Sequence, residues 1–335
     1  MSVTRPLSRP IDLLRAALVA SLLVLALGDA RALTADEVNR AGRPVSTKGK
    51  MTRPSASIVK AQTLLARQGV SPGEIDGLDG DRYRKAVAQF RRRENLGDGD
   101  GIDAATWRAL LGDASADIVS DYRVLKEDVK SRFSRHIPHD YARQARLKQL
   151  GYRTPHEMFA ERFRMSEGLL RTLNPGARYR KRDETLHVVA AGRTPPAAEA
   201  RLVEADRTNG VVRALDAAGR PFAIYPATIG SAATPSPEGE YQVVRVVRNP
   251  TYHYDPVKNF QQGRNKRRLV IARGPNNPVG TVWIELSKPT FGIHGTPEPS
   301  RIGKTSSHGC VRLTNWDAEE LAQLVKPGTT VRFVE

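Results

Sequence analysis

One cysteine, Cys310, occurs in the 335 residues, and two histidines stand close to it in the chain: His308 two positions before and His294 sixteen before. A thiol near neutrality is mostly protonated and a weak nucleophile, so covalent chemistry at sulfur needs a base or a cation beside it. Either imidazole could supply the base. On an extended segment His308 and Cys310 would share a face, whereas a turn at Gly309 would part them; His294 would have to arrive from a separate strand end. Gly309 carries no side chain, so its amide and that of Cys310 can face a developing oxyanion, and Arg312 is suited to grip a carboxylate through two parallel hydrogen bonds. The same residues also fit plainer roles: core histidines, a surface arginine, a small buried cysteine, or a zinc site that lacks a prominent carboxylate ligand.

Elements able to position these residues follow from periodicity. From Pro195-Pro196 onward the pattern is period two: Phe222–Tyr225, Tyr241–Val247, Leu269–Ala272, Val282–Leu286 and Val331–Val334 read as short strands rich in β-branched and aromatic residues. One helical stretch, Asn315 to Val325, interrupts them behind a cap at Thr314 or Asn315. Before the linker, Ile58, Leu64 and Leu65, then Ala86, Val87 and Phe90, then Trp107, Leu110 and Leu111 give three helical patterns separated by Gly-Asp turns, a small unit of modest stability. Residues 33–57 are polar and Gly/Pro-containing, which predicts a flexible linker. In the middle, a basic helical segment is expected around Tyr141 to Leu150, an amphipathic helical pattern runs from Glu157 through Leu173 to Asn174-Pro175-Gly176, and Leu186–Val189 reads as a strand. The fold class expected is multidomain α+β: a small three-helix module, a mixed middle segment, and a mainly-β, sandwich-like C-terminal domain with one helix.

Composition limits the setting. Lys and Arg outnumber Asp and Glu by 53 to 36, a net charge of +17, and 39% of residues are hydrophobic, enough for a core. The basic residues are scattered and no nucleic-acid-binding module is visible, so the charge favours an anionic surface, with no nucleic acid among the partners. Arg5, Arg9 and Arg15, the apolar run Ala16 to Gly28 and the small-residue site Ala30-Arg31-Ala32 read as a signal peptide over residues 1–32, which predicts a periplasmic location; that run is short of the roughly 20 residues a membrane span needs. Disulfides persist outside the cytoplasm, yet a lone cysteine can form no intrachain bridge. A low-pKa, exposed thiol oxidises easily, so an extracytoplasmic thiol reductase is expected as a partner.

Two resemblances bear on function. Ile75-Asp76-Gly77, Ala86-Val87 with Phe90, Asp100-Gly101 and Thr106-Trp107 with Leu110 resemble the peptidoglycan-binding-1 module over residues 58–113, with Leu78-Asp79-Gly80 departing from the family's usual Phe-Gly. Residues 120–191 hold a stretch, Met158–Phe163 through Asn174-Pro175-Gly176, similar to the core of a LysM module, or else form a connecting subdomain. His294-Gly295-Thr296 followed by Ser307-His308-Gly309-Cys310-Val311-Arg312 resembles the signature of the L,D-transpeptidase (YkuD) catalytic domain, and Thr234–Tyr241, Arg248–Tyr252 and Gly274–Gly280 extend the likeness over residues 200–335. The resemblance implies Cys310 as the nucleophile on a peptidoglycan stem peptide and His294 as base, oriented by a main-chain carbonyl near Gly295. It further implies Ser307, His308 and Gly309 shaping the oxyanion pocket, Arg312 engaging substrate, and neither cofactor nor metal. The acyl group would pass to a second stem, a D-amino acid, an outer-membrane lipoprotein or water. The alternatives are L,D-carboxypeptidase trimming and a non-catalytic peptidoglycan-binding protein.

Overall fold

The computed structural model describes residues 32–45, 51–112, 117–192, 198–230, 236–258, 260–305 and 309–335. Every element below belongs to one compact unit, Leu33–Glu335. Residues 1–31, on which the expected signal peptide falls, and Pro195-Pro196, Thr234-Pro235, Ser307 and His308 lie outside the described residues.

Residues 33–57 are not plain linker. Helix α1 (Ala35–Arg40) opens with a capping box in which Thr34 and Glu37 satisfy each other's amides, and Val38 is fully buried. The Asn39 side chain then accepts from the amides of Ile118 and Val119, tying α1 to the middle of the chain. Helices α2 (Ala56–Arg67), α3 (Asp81–Arg93) and α4 (Ala104–Leu111) match the three apolar patterns. Gly77 turns the chain between α2 and α3 at φ +73°, and a Cβ there would sit 2.8 Å from Pro54 and Val59, so only glycine fits.

Strands β1 (Val119–Arg123) and β2 (Thr185–Val189) pair antiparallel, enclosing in sequence α5 (Lys126–Lys130), α6 (Tyr141–Gln144), α7 (Pro155–Arg162) and α8 (Glu167–Leu173). The amphipathic pattern expected from Glu157 to Leu173 is two helices, because Arg164 turns at φ +57° and Ser166 caps α8 by accepting from the Leu169 amide. The basic stretch from Tyr141 is helical for one turn only; beyond it the Leu150 backbone bonds outward, to the Arg273 carbonyl and the Asn276 amide. One apolar core runs through Val38, Leu65, Phe90, Phe159, Leu169 and Leu186, so the three helices do not form a core of their own.

The rest is β3 (Leu202–Asp206), β4 (Val211–Leu215), β5 (Pro221–Pro226), β6 (Thr228–Ile229), β7 (Gly239–Arg248), β8 (Tyr252–Tyr254), β9 (Leu269–Ile271), β10 (Val282–Leu286), β11 (Gly292–His294), β12 (Val311–Arg312), α9 (Asn315–Leu324) and β13 (Thr330–Val334). Nine strands form one sheet in the order β5-β4-β3-β13-β7-β10-β11-β12-β6, while β8 and β9 form a separate hairpin. The long β7 pairs with β13 through its first residues and with β10 through Val243–Arg248, so two half-sheets share it and close on one core that includes Val203, Tyr225, Val243, Ile284, Ile293 and Leu321. The β5 edge is covered: the Ser71 amide donates to the Ile224 carbonyl and the Ile224 amide to the Gly69 carbonyl, each at 2.8 Å.

Candidate active site

Strand β11 lies between β10 and β12, with Trp283 opposite His294 on one side and Arg312 beside His294 in the parallel ladder on the other. Paired residues of a sheet share a face, and so do residues two apart on one strand. His294 and Arg312 therefore project to the same side, and Cys310 stands in the bend one residue before β12, within electrostatic reach of Arg312. Leu313 closes the ladder by donating to the His294 carbonyl at 2.9 Å.

His294 is 4% exposed, its ring stacked on Trp283 with centroids 5.5 Å apart. Its Nδ1 stands 2.7 Å from the Gly295 carbonyl. A carbonyl can only accept, so Nδ1 carries the proton and Nε2 is left as the acceptor. Burial, and next the Arg312 charge, push the imidazole down to about 3, against a raising contribution from the Gly295 bond, so the ring is neutral at any ordinary pH.

Cys310 is half-buried and donates to the Thr290 carbonyl at 3.7 Å. Burial pushes the thiol up, opposed by a hydrogen bond from the Gly292 backbone and by Arg312. The expectation of a low-pKa thiol is corrected here: desolvation outweighs both favourable contributions, and the sulfur rests as a thiol. Gly309 adopts φ +102°, a conformation that favours glycine, and its carbonyl accepts from Ser236 Oγ at 2.8 Å, which fixes the turn leading into Cys310. Arg312 is half-buried.

Sequence patterns did not single out several residues around this centre. Tyr252 and Tyr254 of the β8–β9 hairpin pack against Tyr141 of α6 edge to face, at 5.9 and 5.3 Å. The Tyr252 phenol is raised by burial and then by Tyr141 and Cys310, which places it within electrostatic reach of the sulfur. A groove of about 720 Å³ is lined by Tyr252, Tyr254, Trp283, Arg268, Lys258 and Thr290, reaching the two residues that touch His294 and Cys310. Their alternation along β8 was a signal; the contact with Tyr141, more than a hundred residues earlier, was not. Among the described residues no three of His, Cys, Asp and Glu are grouped to hold a metal ion.

A β-rich domain that carries a buried, neutral imidazole beside a strand led in by a half-buried thiol is joined here to a helical module. Comparison with known sequences places both parts. Residues 200–333 match the family model of the L,D-transpeptidase catalytic domain, and residues 54–110 match that of a putative peptidoglycan binding domain. The putative L,D-transpeptidase YkuD of Bacillus licheniformis is 32% identical over 176 residues, covering 52% of this chain and 90% of that protein. Its namesake from Bacillus subtilis is 36% identical over 107 residues, 32% of this chain and 50% of that one. The solved L,D-transpeptidase from Xylanimonas cellulosilytica aligns over 88% of this chain and all of that one at 16% identity and a TM-score of 0.40. The chain belongs to the L,D-transpeptidase (YkuD) family, a family of enzymes, and its helical part includes a peptidoglycan-binding module.

Proposed function

We propose that the protein is a periplasmic L,D-transpeptidase that transfers peptidoglycan stem peptides through an acyl-enzyme on Cys310. The observation that carries this is the Nδ1–H bond from His294 to the Gly295 carbonyl, which commits Nε2 to accepting a proton on the face it shares with Arg312, whose charge also reaches the Cys310 thiol. With both groups neutral at rest, Nε2 takes the thiol proton as sulfur attacks the carbonyl of the residue preceding the terminal D-alanine. The oxyanion forms against the amides of Gly309 and Cys310. Collapse breaks the peptide bond, and the imidazolium returns its proton to the departing amine of D-alanine, leaving a thioester. Arg312 holds a substrate carboxylate beside the sulfur. An amine of a second stem, of a free D-amino acid or of an outer-membrane lipoprotein then attacks the thioester; water in the same place gives L,D-carboxypeptidase trimming. Residues 58–113 hold the enzyme on the wall, with residues 120–191 as a second, LysM-like contact.

Incubation with a tetrapeptide stem, followed by intact-mass spectrometry, should show loss of the terminal residue and an adduct confined to Cys310. Retained activity in Cys310→Ala would overturn the proposal. Unchanged wall composition and unchanged sacculus binding after that substitution would favour a non-catalytic wall-binding protein.

A further inference from the structure

The wall behind His294 is built by residues that the catalytic strands do not carry. The Gly295 carbonyl belongs to a turn packed on Asn315: a Cβ on Gly295 would lie 2.2 Å from Asn315 Oδ1, and one on Gly280 would lie 2.0 Å from it. Asn315 is 1% exposed and fully engaged. Its Oδ1 accepts from the Thr281 amide at 3.1 Å; its Nδ2 donates to the Pro275 carbonyl at 3.1 Å and to Glu161 Oε1 at 2.9 Å. Glu161 lies in α7, outside both matched regions. One turn earlier, Glu157 Oε1 accepts from Asn276 Nδ2 at 2.8 Å, and the i,i+4 spacing sets both carboxyls on one face of α7. That face therefore holds the 275–276 loop and the Asn315 amide together.

We propose that α7 is a positioning element for the catalytic base: Glu161 fixes the orientation of the Asn315 amide, and Asn315 fixes the Gly295 peptide that sets the His294 tautomer. The inference rests on the function proposed above. An amide deprived of one acceptor can rotate, and its Oδ1 and Nδ2 present opposite polarity to the Gly295 turn. A displacement of a few tenths of an ångström at Gly295 loosens the bond to Nδ1, and the ring then populates the form protonated at Nε2, which cannot take the thiol proton. Glu161 accepts from Asn315 in either protonation state, and the Tyr152 hydroxyl donates to the same oxygen at 3.3 Å.

The test measures D-alanine release by the full-length protein together with ¹⁵N shifts of the His294 ring. Glu161→Ala and Asn315→Ala should each lower kcat about tenfold or more while KM stays within about twofold, and should shift the ring nitrogens towards the Nε2–H pattern. Glu161→Gln keeps an acceptor oxygen and should hold kcat within about threefold of wild type. The double Ala variant should be no worse than the poorer single one, because both act along one path. If Glu161→Ala loses its fold by circular dichroism, Asn315→Ser, whose shorter side chain cannot span to Glu161, carries the same two readouts. An unchanged tautomer and kcat in folded variants, or Glu161→Gln failing as badly as Ala, would overturn the inference. A wild type that releases no D-alanine would overturn the proposed function instead, while the ring shifts would still test the positioning.

Discussion

Burial draws Cys310 and His294 alike towards their neutral forms, and Arg312 acts on both, lowering the thiol and lowering the imidazole. A neutral pair suits an enzyme whose proton moves during attack rather than before it, and it leaves the resting sulfur slow to react with adventitious electrophiles. Arg312→Gln removes the cation that favours the thiolate. Alkylation of Cys310 by iodoacetamide at pH 8 should slow about three- to tenfold, corresponding to a shift of up to one pKa unit, with its midpoint displaced to higher pH. An unchanged alkylation profile would mean that the Arg312 charge is screened from the sulfur. The glycines around the base have a comparable weight: at Gly292 an added Cβ would meet Trp283 and the Ile284 carbonyl at 2.7 and 2.8 Å, so Trp283 could not keep its place against His294.

Between the elements, α7 and α9 face each other through acidic side chains. Desolvation raises Glu161 to about 8 and Asp317 to about 7; Ser71 Oγ donates to Asp317, and Arg164 pairs with Glu320 at 3.1 Å. Carboxyls raised above their unfolded values hold protons that the unfolded chain has released. Their contribution is complete below about pH 4 and is lost as pH rises through 7 and 8. His294 has the opposite sign: its folded value near 3 lies below the unfolded value of about 6.5, so its contribution is complete above about 6.5 and is lost as pH falls towards 3. Above pH 6.5 the carboxyls lose their protons, and the Cys310 thiol, also raised by burial, acts in the same direction as pH approaches 8.5. Urea midpoints should therefore fall from pH 6.5 to 8.5, and Glu161→Gln with Asp317→Asn should flatten that limb; a wild-type midpoint constant over the range would show that the α7–α9 contact does not hold these protons.

In the whole molecule, residues outside the matched catalytic region complete it. The 69–71 turn pairs with β5, Leu150 pairs with the 273–276 loop, and a Cβ at Gly274 would stand 2.1 Å from the Leu150 carbonyl, so the middle segment sits directly on the catalytic backbone. Residues 198–335 produced alone would expose the β5 edge and leave Asn315 and Asp317 without Glu161 and Ser71. This fragment should melt about 10 °C or more below the full chain and self-associate through β5, as read by calorimetry and size-exclusion chromatography. Equal melting of fragment and full chain would show the catalytic half to be independent.

What the sequence by itself determined is local. The lone sulfur, the two histidine motifs, the glycine before Cys310, the alternating strands β5, β7, β10 and β13, and the helix α9 capped by Thr314 are all written in spacing and residue type. Strands β11 and β12, three and two residues long, carry no pattern of their own, because the neighbours that hold them are distant in sequence. Tertiary structure alone decided that His294 stands on the strand beside the one Cys310 enters, that both groups rest neutral, that the expected linker contains a capped helix, and that α7 reaches the back of the active site. Each of these depends on desolvation or on hydrogen bonds between residues far apart in the chain, and no window of consecutive residues contains both partners.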